Sequence, residues 1–558
     1  STSLQGLKLV SGLWFVISIG YLLSSLAEIF GSGISEILKV NILQSFITQI
    51  TLGKLLAYQV IVALLVFIFS NLIKKNGGAL ALLILALSGI VAPLFQSHSS
   101  SQGSHSLAIG SLVIHVIALS FWIGSVIALK IMPSQLQTLA FSRVSIIALW
   151  SSMAVVLTGF ANAWTRLGLS QDWFTGYGAL ISLKIALTLL VFIIASRVRK
   201  NLSVNALVTF EIGVMATILG IGSILNRFTP EESGEIEFDR IRELVGISMP
   251  SEPTLSTVFF EYEANGLALG ALIFATALYI RGVVALARRG DRWPVGRTIS
   301  FAIGISLLDY ATSGGLGLYS HFSFQYHMIA HMVLSMIAPI AIVLSAPITL
   351  ALRTLPIGRD KSERGIRGML IQALHSRPSS VITHPISALA IFDGSLFALY
   401  FTPLFSNLMS GHFGHLIMNF HFIAAGLLFF HVIVGIDPNP RKVHHLVRVV
   451  ILLAAMSIHA FFSIALMSAN ELIDGGFYQL LDRPWATDLL SDQKAGAAIG
   501  WAMGEIPIVI ALVATFIQWV RSDAREAKRA DRRSNTDLAE YNAYLEQLSR
   551  KNNSSQDK

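Results

Sequence analysis

Long apolar runs recur along the chain from residue 7 to residue 520, and short polar loops separate them. A helix of about 20 apolar residues is long enough to cross a hydrocarbon core of about 30 Å. The pattern therefore predicts an all-α polytopic membrane protein with about fourteen transmembrane helices. The predicted spans are 7–30, 54–73, 78–97, 106–132, 141–165, 177–196, 201–225, 260–287, 297–320, 325–352, 383–407, 413–436, 446–469 and 498–520.

The composition supports this class, because the chain is 54% hydrophobic and only 13% charged, with a mean hydropathy of +0.66. A soluble globular chain carries about 25% charged residues. The first apolar run, 7–30, is too long for the apolar core of a signal peptide and lacks a clear small-residue cleavage site. We therefore expect it to be a spanning helix.

Cysteine is absent from the chain. This absence excludes disulfides, cysteine-based zinc sites and a thiolate copper shuttle. Any soft-metal chemistry must therefore use the 15 histidines and 13 methionines.

The basic residues predict the orientation, because cytoplasmic loops carry an excess of Lys and Arg. When the C-terminal tail with the run RSDAREAKRADRR is placed in the cytoplasm, most of the 40 Lys and Arg residues fall on that side. Both termini are therefore expected to be cytoplasmic. The net charge of +8 follows from this topology, and charge spread over many short loops argues against a nucleic-acid partner.

The longest outer loop, 226–259, is acidic and divides the chain into two predicted bundles of seven helices each. The predicted domains are therefore two membrane domains, 1–225 and 260–520, the linker between them, and a charged cytoplasmic tail, 521–558.

The span 325–352 carries two histidines near its outer end, in the motif YHMIAHMVLSM. His327 and His331 are four residues apart and therefore share one face of a helix. A second stripe of candidate donors, rotated by about 100° from the first, consists of Met328, Met332 and Met336. His321, at the end of the preceding span, is a further candidate donor.

A second cluster of donors, GHFGHLIMNFHF, lies where the span 413–436 enters from outside. His412, His415, Met418 and His421 follow one another in steps of three. Each step of three turns back by about 60° on a helix, so His412 and His421 lie on nearly opposite faces. The four cannot all bind one ion, whereas His415, Met418 and one flanking histidine can.

Other polar residues are expected in the same outer half of the second bundle. An ionisable group inside a membrane costs about 2.5 kcal/mol or more and usually faces the bundle interior. The candidates are His459 as a metal ligand, and Asp309, Glu505 and Asp492 as groups that balance charge or orient a ligand histidine.

A set of His and Met donors without a thiolate suits copper best. Thioethers prefer Cu(I), and imidazoles accept Cu(I), Cu(II), zinc or haem iron. The alternative interpretation is that Met fills packing gaps and His forms hydrogen bonds between helices. His327 and His331 are the strongest candidates, because paired histidines inside a membrane are uncommon.

The first half offers fewer candidates. His98 and His105 lie in a Ser/Gly-rich outer loop, and His115 lies about 13 Å into the next helix. Such a loop could capture a metal ion and pass it to the buried histidine, or it could be only a solvated loop. Lys184 and Glu211 could pair across helices in a structural role.

Five stretches of the second half carry a family resemblance. They are FSFQYHMIAHMVLSMIAPIAIVLSAPITLALR (322–353), HPISALAIFDGSLFALYFTPLF (384–405), HLIMNFHFIAAGLLFFHVIVGIDPNP (415–440), HAFFSIALMS (459–468) and DQKAGAAIGWAMGEIP (492–507). Along nearly its whole length, the second half resembles the CtaG family of cytochrome c oxidase assembly factors.

The first half is similar to the CopD copper-resistance family, through HVIALSFWIGS (115–125) and through matching stretches within 141–187. CopD relatives are implicated in moving copper across the inner membrane, and CtaG relatives in supplying copper to the CuB centre of haem–copper oxidase. The fusion resembles a bifunctional actinobacterial membrane protein. One departure is Ala497, where CtaG relatives often have the second glycine of a pair.

The resemblance implies copper intake and delivery by one multi-pass protein of the bacterial plasma membrane, with metal sites on the extracytoplasmic side. The expected partners are subunit I of the oxidase or the respiratory supercomplex, periplasmic copper carriers and the lipid bilayer. It supports as candidate ligand positions His327, His331, His415, His421 and His459.

We therefore expect copper, as Cu(I), between the His327/His331 face and the His415/Met418 face, and no catalytic motif points to an enzyme. Three alternatives stay open: a stand-alone copper transporter, a haem-binding subunit with paired histidine ligands, and a metal-free accessory subunit of a respiratory complex.

Overall fold

The computed structural model of the chain is all-helical, and its described residues form no β-strand beyond one isolated bridge between Tyr262 and Gly314. The all-α prediction is confirmed. The structure describes residues 2–31, 33, 39–73, 76–96, 105–169, 171–174, 176–200, 205–225, 239–358, 365–409, 412–441, 443–486 and 488–556.

Twelve helices in the described part of the chain are long and apolar enough to cross a membrane, and they coincide with twelve of the predicted spans. The other two predicted spans are also helical. Val295–Thr312 is more polar, since it carries Arg297 and Asp309, and Pro385–Tyr400 is shorter. The polytopic fold is confirmed, while the count of fourteen and the side of both termini stay predictions.

The contacts within the chain form two compact units, Ser1–Ser248 with Glu263–Ile273, and Met249–Tyr262 with Phe274–Lys558. The division falls near the predicted linker, of which residues 226–238 lie outside the described residues. The domain boundaries of the sequence analysis stay predictions.

Unit 1 has its core where long apolar helices meet, and Trp122, Val155 and Val191 belong to one such cluster. The segment 31–53, which is too polar for a span, contains a short helix whose Phe46 is fully buried. The α-helices of this unit are Thr2–Phe30, Val40–Gln49, Thr51–Phe69, Asn76–Val91, His105–Ile131, Ser134–Leu167, Gly176–Lys200, Asn205–Leu225 and Arg240–Val245.

Unit 2 consists of shorter and more interrupted helices. Two of its apolar segments contain a π-helical turn, at Val333–Ile337 and at Ala390–Gly394. Its α-helices, with Gly266–Arg288 leading into the unit, are Leu255–Phe260, Gly266–Arg288, Val295–Thr312, Gly315–Tyr319, Phe324–Met332, Ala338–Leu344, Pro347–Thr354, Ile366–Leu374, Arg377–Ile382, Pro385–Leu389, Ser395–Tyr400, Leu404–Met409, His412–Val434, His445–Met467, Phe477–Leu480 and Leu489–Gln556.

Five parts of unit 2 position its polar side chains. They are the histidine-pair helix (Phe324–Met332), the Asp393 segment (Pro385–Tyr400), the His415 helix (His412–Val434), the His459 helix (His445–Met467) and the C-terminal helix (Leu489–Gln556).

The predicted span 325–352 is one apolar stretch but not one regular helix. The π turn at Val333–Ile337 shifts the helical phase, and Ala346 takes a left-handed conformation with φ of 53° before Pro347. Asp437 accepts hydrogen bonds from the backbone N–H groups of Ile348 and Thr349 and so caps the next helix. The predicted stripe of Met328, Met332 and Met336 is therefore interrupted at the π turn, in which Met336 lies.

The C-terminal helix approaches its neighbours closely through glycines spaced by four residues. Gly496 lies against Phe324, Gly500 against Met328, and Gly504 against the ring of His459. Glycines at this spacing form a groove that lets two helix backbones approach each other in a membrane. The residue beside the first of them, Ala497, is fully buried.

The His415 helix packs closely on the π turn at Gly426. A Cβ atom at Gly426 would overlap the carbonyl oxygen of Ser335. We expect Gly426→Ala to cost about 1–3 kcal/mol, because the two backbones must separate. Tryptophan fluorescence during heating of the detergent-solubilised protein should show a lower melting temperature.

The matched control is Gly296→Ala, because nothing lies within 4 Å of a Cβ atom at that position. It should leave the melting temperature unchanged or raise it slightly. Equal melting temperatures for the two variants would contradict the close approach at Gly426.

Candidate metal centre

The N-terminus of the histidine-pair helix is held by a carboxylate from a distant segment. Asp492, on the C-terminal helix, accepts hydrogen bonds from Ser323 Oγ at 2.8 Å, Phe324 N at 3.0 Å and Gln325 N at 3.2 Å. These groups include backbone donors that a helix start leaves unpaired. Asp492 also forms a salt bridge of 3.1 Å with the buried Arg483. It thus anchors the helix that carries both histidines.

Three buried imidazole rings converge within unit 2. One ligand nitrogen from each of His327, His331 and His415 lies within 4.8 Å of the other two. The ring centroids of His327 and His331 are 3.9 Å apart, and that of His415 is 5.7 Å and 6.4 Å from them. The first two come from consecutive turns of one helix, as their spacing predicts, and the third comes from the His415 helix.

Tyr400 connects two of the rings. Its hydroxyl lies 3.1 Å from His327 Nε2 and 2.8 Å from His331 Nδ1. The remaining nitrogens, His327 Nδ1 and His331 Nε2, are buried and have no hydrogen-bond partner. If both rings donate their Tyr400-facing N–H to the hydroxyl oxygen, both remaining nitrogens present lone pairs.

The third ring has a similar arrangement. The side-chain amide of Asn419 lies 3.4 Å from His415 Nδ1, and His415 Nε2 is buried without a partner. Asn419 Oδ1 is also buried and unpartnered. Rotation of the amide by 180° brings this oxygen to the Nδ1–H group, and Nε2 then carries the free lone pair.

Two of the other predicted donors, His321 and His421, interact with the rings, and three more are buried. The His321 ring lies 4.0 Å from that of His415. Met418, Met328 and Met332 are buried. His421 interacts electrostatically with His331. The side chain of His412, at the start of the His415 helix, lies outside the described residues.

His459 does not join the three rings. Its Nδ1 lies 3.7 Å from Asp393 Oδ1, and its Nε2 lies 3.2 Å from the carbonyl oxygen of Gly500. Glu505 interacts electrostatically with both His459 and Asp393. Asp309 accepts a hydrogen bond of 3.1 Å from Tyr262. Among the carboxylates expected to support the ligand histidines, Asp492 holds the start of the histidine-pair helix, and Glu505 interacts electrostatically with His459.

The predicted donors of the first half belong to unit 1. His98 lies outside the described residues. His105 begins the helix His105–Ile131, and His115 is buried with its Nδ1 3.0 Å from Thr158 Oγ1. Because ten residues of helix separate His105 from His115, they are about 15 Å apart along its axis. They cannot bind one ion together.

The part of the chain that contains the three rings matches a known family. Residues 277–522 match the family model of the cytochrome c oxidase caa3 assembly factor (Caa3_CtaG). All three histidines, Tyr400 and Asn419 lie inside the matched region. The Caa3_CtaG match implies a role in cytochrome c oxidase assembly for this part of the chain.

The curated relatives that match are uncharacterized mycobacterial proteins. The chain is 39% identical to one of Mycobacterium tuberculosis and to one of Mycobacterium bovis, in each case over 311 residues, which are 55% of this chain and 47% of the relative. The chain thus spans about half the length of these relatives. No solved structure matches the chain. The CopD resemblance of the first half stays a prediction.

Three imidazoles suit a soft or borderline ion of low charge. In the described part of the Caa3_CtaG region, the convergent group contains no carboxylate. A neutral donor set leaves the charge of the ion uncompensated, and buried charge is costly in a membrane. A monovalent ion is therefore favoured over a divalent one. Two nitrogens bound to one ion at about 2.0–2.1 Å are at most about 4.2 Å apart, so small ring rotations would complete the site.

Sequence reasoning missed Tyr400, Asn419 and Asp393. Nothing in the sequence around Tyr400 marks it, because its role arises from packing against two rings of another helix. Asp393 had a signal, since it is a lone carboxylate in the apolar stretch ALAIFDGSLF. The glycines 496, 500 and 504 also had one, in their spacing of four.

Substitution of Asp492 tests whether this carboxylate holds the start of the histidine-pair helix. Asp492→Ala removes the acceptor of three hydrogen bonds and leaves the buried Arg483 without its counter-ion. We expect a loss of about 3 kcal/mol in folding free energy, seen as a lower melting temperature in detergent.

Asp531→Ala serves as the control on the same helix, because Asp531 is exposed. Its effect should stay within about 0.5 kcal/mol. A melting temperature of Asp492→Ala that equals that of the control would show that the anchor contributes nothing.

Proposed function

We propose that the chain binds a copper ion as cargo at His327, His331 and His415 and supplies it during the assembly of cytochrome c oxidase. The observation that carries this proposal is the convergence of three buried imidazole rings, each of which has one ring nitrogen without a hydrogen-bond partner, inside the region that matches Caa3_CtaG.

The donor chemistry favours Cu(I) over other ions. The group has imidazoles and no carboxylate, and the chain has no thiolate. Imidazole and thioether are both good ligands for Cu(I). Because Cu(I) carries a single positive charge, its burial among neutral donors costs less than that of a divalent ion.

An open ligand set favours transfer over permanent storage. A structural metal site is closed by four protein ligands, whereas a site with three protein ligands keeps a position for an incoming group. His327 lies one turn inside the histidine-pair helix, and the His321 ring packs on His415. An acceptor protein could therefore offer its own ligand to the ion from the end of the bundle where this helix begins.

Location and partners follow from this role. We place the protein in the bacterial plasma membrane, with both termini in the cytoplasm and the three histidines near the extracytoplasmic side. The acceptor is subunit I of the haem–copper oxidase, alone or within the respiratory supercomplex, and its CuB centre receives the ion. Periplasmic copper carriers supply the ion. The first half, with His98, His105 and His115, collects or conducts copper, as its CopD resemblance suggests.

The first test removes two ligands. His327→Ala/His331→Ala should lose the bound Cu(I), because one remaining imidazole cannot hold the ion against a chelator. Metal analysis and competition with a Cu(I)-specific chelator on the purified full-length chain measure this. His375→Ala is the control, because His375 is exposed and distant in sequence, and it should bind copper as the unsubstituted chain does.

Equal copper binding by the double variant and the control would overturn the site. A separate measurement addresses delivery. Cells that carry only the double variant should contain oxidase with a reduced copper content and reduced activity. Suppose that the variant has lost its copper but the oxidase in those cells is normal. This result would leave the proposal of copper binding intact but would rule out the proposed delivery to the oxidase, and it would favour a stand-alone transporter.

The second test concerns Tyr400, which contacts two ligand rings without being a ligand in this proposal. Tyr400→Phe removes the hydroxyl that orients these rings. Loss of such a supporting hydrogen bond weakens metal affinity by about 10–100-fold. The chelator competition should show this weakening at an unchanged stoichiometry of one ion per chain. Complete loss of binding would indicate that the tyrosine oxygen is itself a ligand.

A further inference from the structure

The C-terminal helix continues far beyond the apolar part of the chain. It is one helix from Leu489 to Gln556, and its sequence becomes highly charged from Arg521 onward. At about 1.5 Å per residue, residues 538–548 lie roughly 25–40 Å along the helix axis beyond Arg521. All side chains from 538 to 549 are exposed. Because the helix leaves the membrane without a break, this end of it extends away from the lipid.

Four large apolar side chains form a stripe on this exposed end. Leu538, Tyr541, Leu545 and Leu548 are 55%, 59%, 44% and 40% exposed. Steps of three, four and three residues place them on one face of the helix, at the a and d positions of a heptad repeat. A contiguous apolar face that a helix exposes to water marks an interaction surface.

The same heptad register continues toward the membrane. It places the exposed Ala524 and Ala527 at a and d, where small side chains let two helices lie close together. The exposed Asp531 occupies the next a position. Two such carboxylates facing each other weaken a pair of helices, but a single polar a position also restricts the register of the pair.

The charges beside the stripe are complementary to those of a second copy of the same helix. In a parallel coiled coil, a g residue of one helix faces the e residue five positions later on the other. Asp523 (g) therefore faces Lys528 (e) of the second copy, and the reverse pair forms as well; both side chains are exposed. Among the described side chains, no two like charges face each other at the e and g positions.

The membrane imposes the parallel orientation. Two copies with the same topology carry their C-terminal helices across the bilayer in the same direction, so both tails leave on one side. The stripe covers about two heptads, whereas a coiled coil usually needs about three to four. Confinement to one membrane raises the effective concentration of the second stripe and offsets this shortness.

We propose that residues 524–548 form a parallel two-stranded coiled coil between two copies of this chain, with the stripe of Leu538, Tyr541, Leu545 and Leu548 at its core. A second copy fits the stripe better than the lipid surface does, because the stripe lies beyond the bilayer and the flanking charges are self-complementary. The inference does not depend on copper binding by the three histidines.

Cross-linking tests the pairing, because the chain has no cysteine and one introduced thiol reports on one position. In the full-length chain in lipid vesicles, a short bismaleimide should join two copies of Leu538→Cys, and two copies of Leu545→Cys. A parallel pair in register brings identical core positions together. Ala543→Cys is the matched control, because Ala543 is exposed on the opposite face of the helix. Its cross-linked fraction should be about fivefold smaller.

A disrupting variant tests the apolar core. Adding Leu545→Glu/Leu548→Glu to Leu538→Cys should lower the cross-linked fraction about fivefold, because four carboxylates then meet between the helices. Glutamate is a good helix former, so the tail stays helical. Light scattering in detergent should show a change in mass from two chains to one. The melting temperature should stay the same, because the stripe lies outside the bundle, and Ala543→Glu should change neither measurement.

Three outcomes would overturn the proposal. The first is equal cross-linking of Leu538→Cys and Ala543→Cys, which would indicate random collisions. The second is a dimer that persists with both glutamates present. The third is a mass of one chain for the unsubstituted protein with no cross-linking at any of the three positions. In that case, a polarity-sensitive dye on Leu545→Cys that shifts to the blue with anionic vesicles would identify the lipid surface as the occupant.

Discussion

Unit 2 buries polar side-chain atoms in the interior of a helix bundle. An unpaired buried donor or acceptor costs about 1–3 kcal/mol, so most such atoms in proteins find partners. One ring nitrogen each of His327, His331 and His415 has none, whereas the other nitrogens of His327 and His331 lie at hydrogen-bonding distance from Tyr400. Because the three rings converge, we propose that this group binds a cation.

The charge of the donor set bears on the proposed role. The three imidazoles contribute no negative charge, which in the proposal favours a singly charged soft ion that is passed on to an acceptor. His459 lies apart from this set and pairs with Asp393. Phe462 contacts both Tyr400 and His459.

Close backbone packing brings these side chains together. The glycines at 496, 500 and 504 let the C-terminal helix lie against Phe324, Met328 and His459. Asp492 on that helix holds the start of the histidine-pair helix. The two π turns add a residue to each of two apolar segments, and such turns often occur at functional sites. The site therefore depends on helix contacts far from the ligands in sequence.

The sequence by itself determined the membrane class, the positions of the helices and the shared face of His327 and His331. Run length and the spacing of four act within one helix, so no knowledge of the partners is needed. The sequence predicted that His415 faces this pair but also offered His459 as a ligand; only the tertiary structure decided that His459 pairs with Asp393 instead and that Tyr400 connects two rings. These choices depend on how closely separate helices approach and on the phase shift of the π turns, and both arise from packing between distant segments.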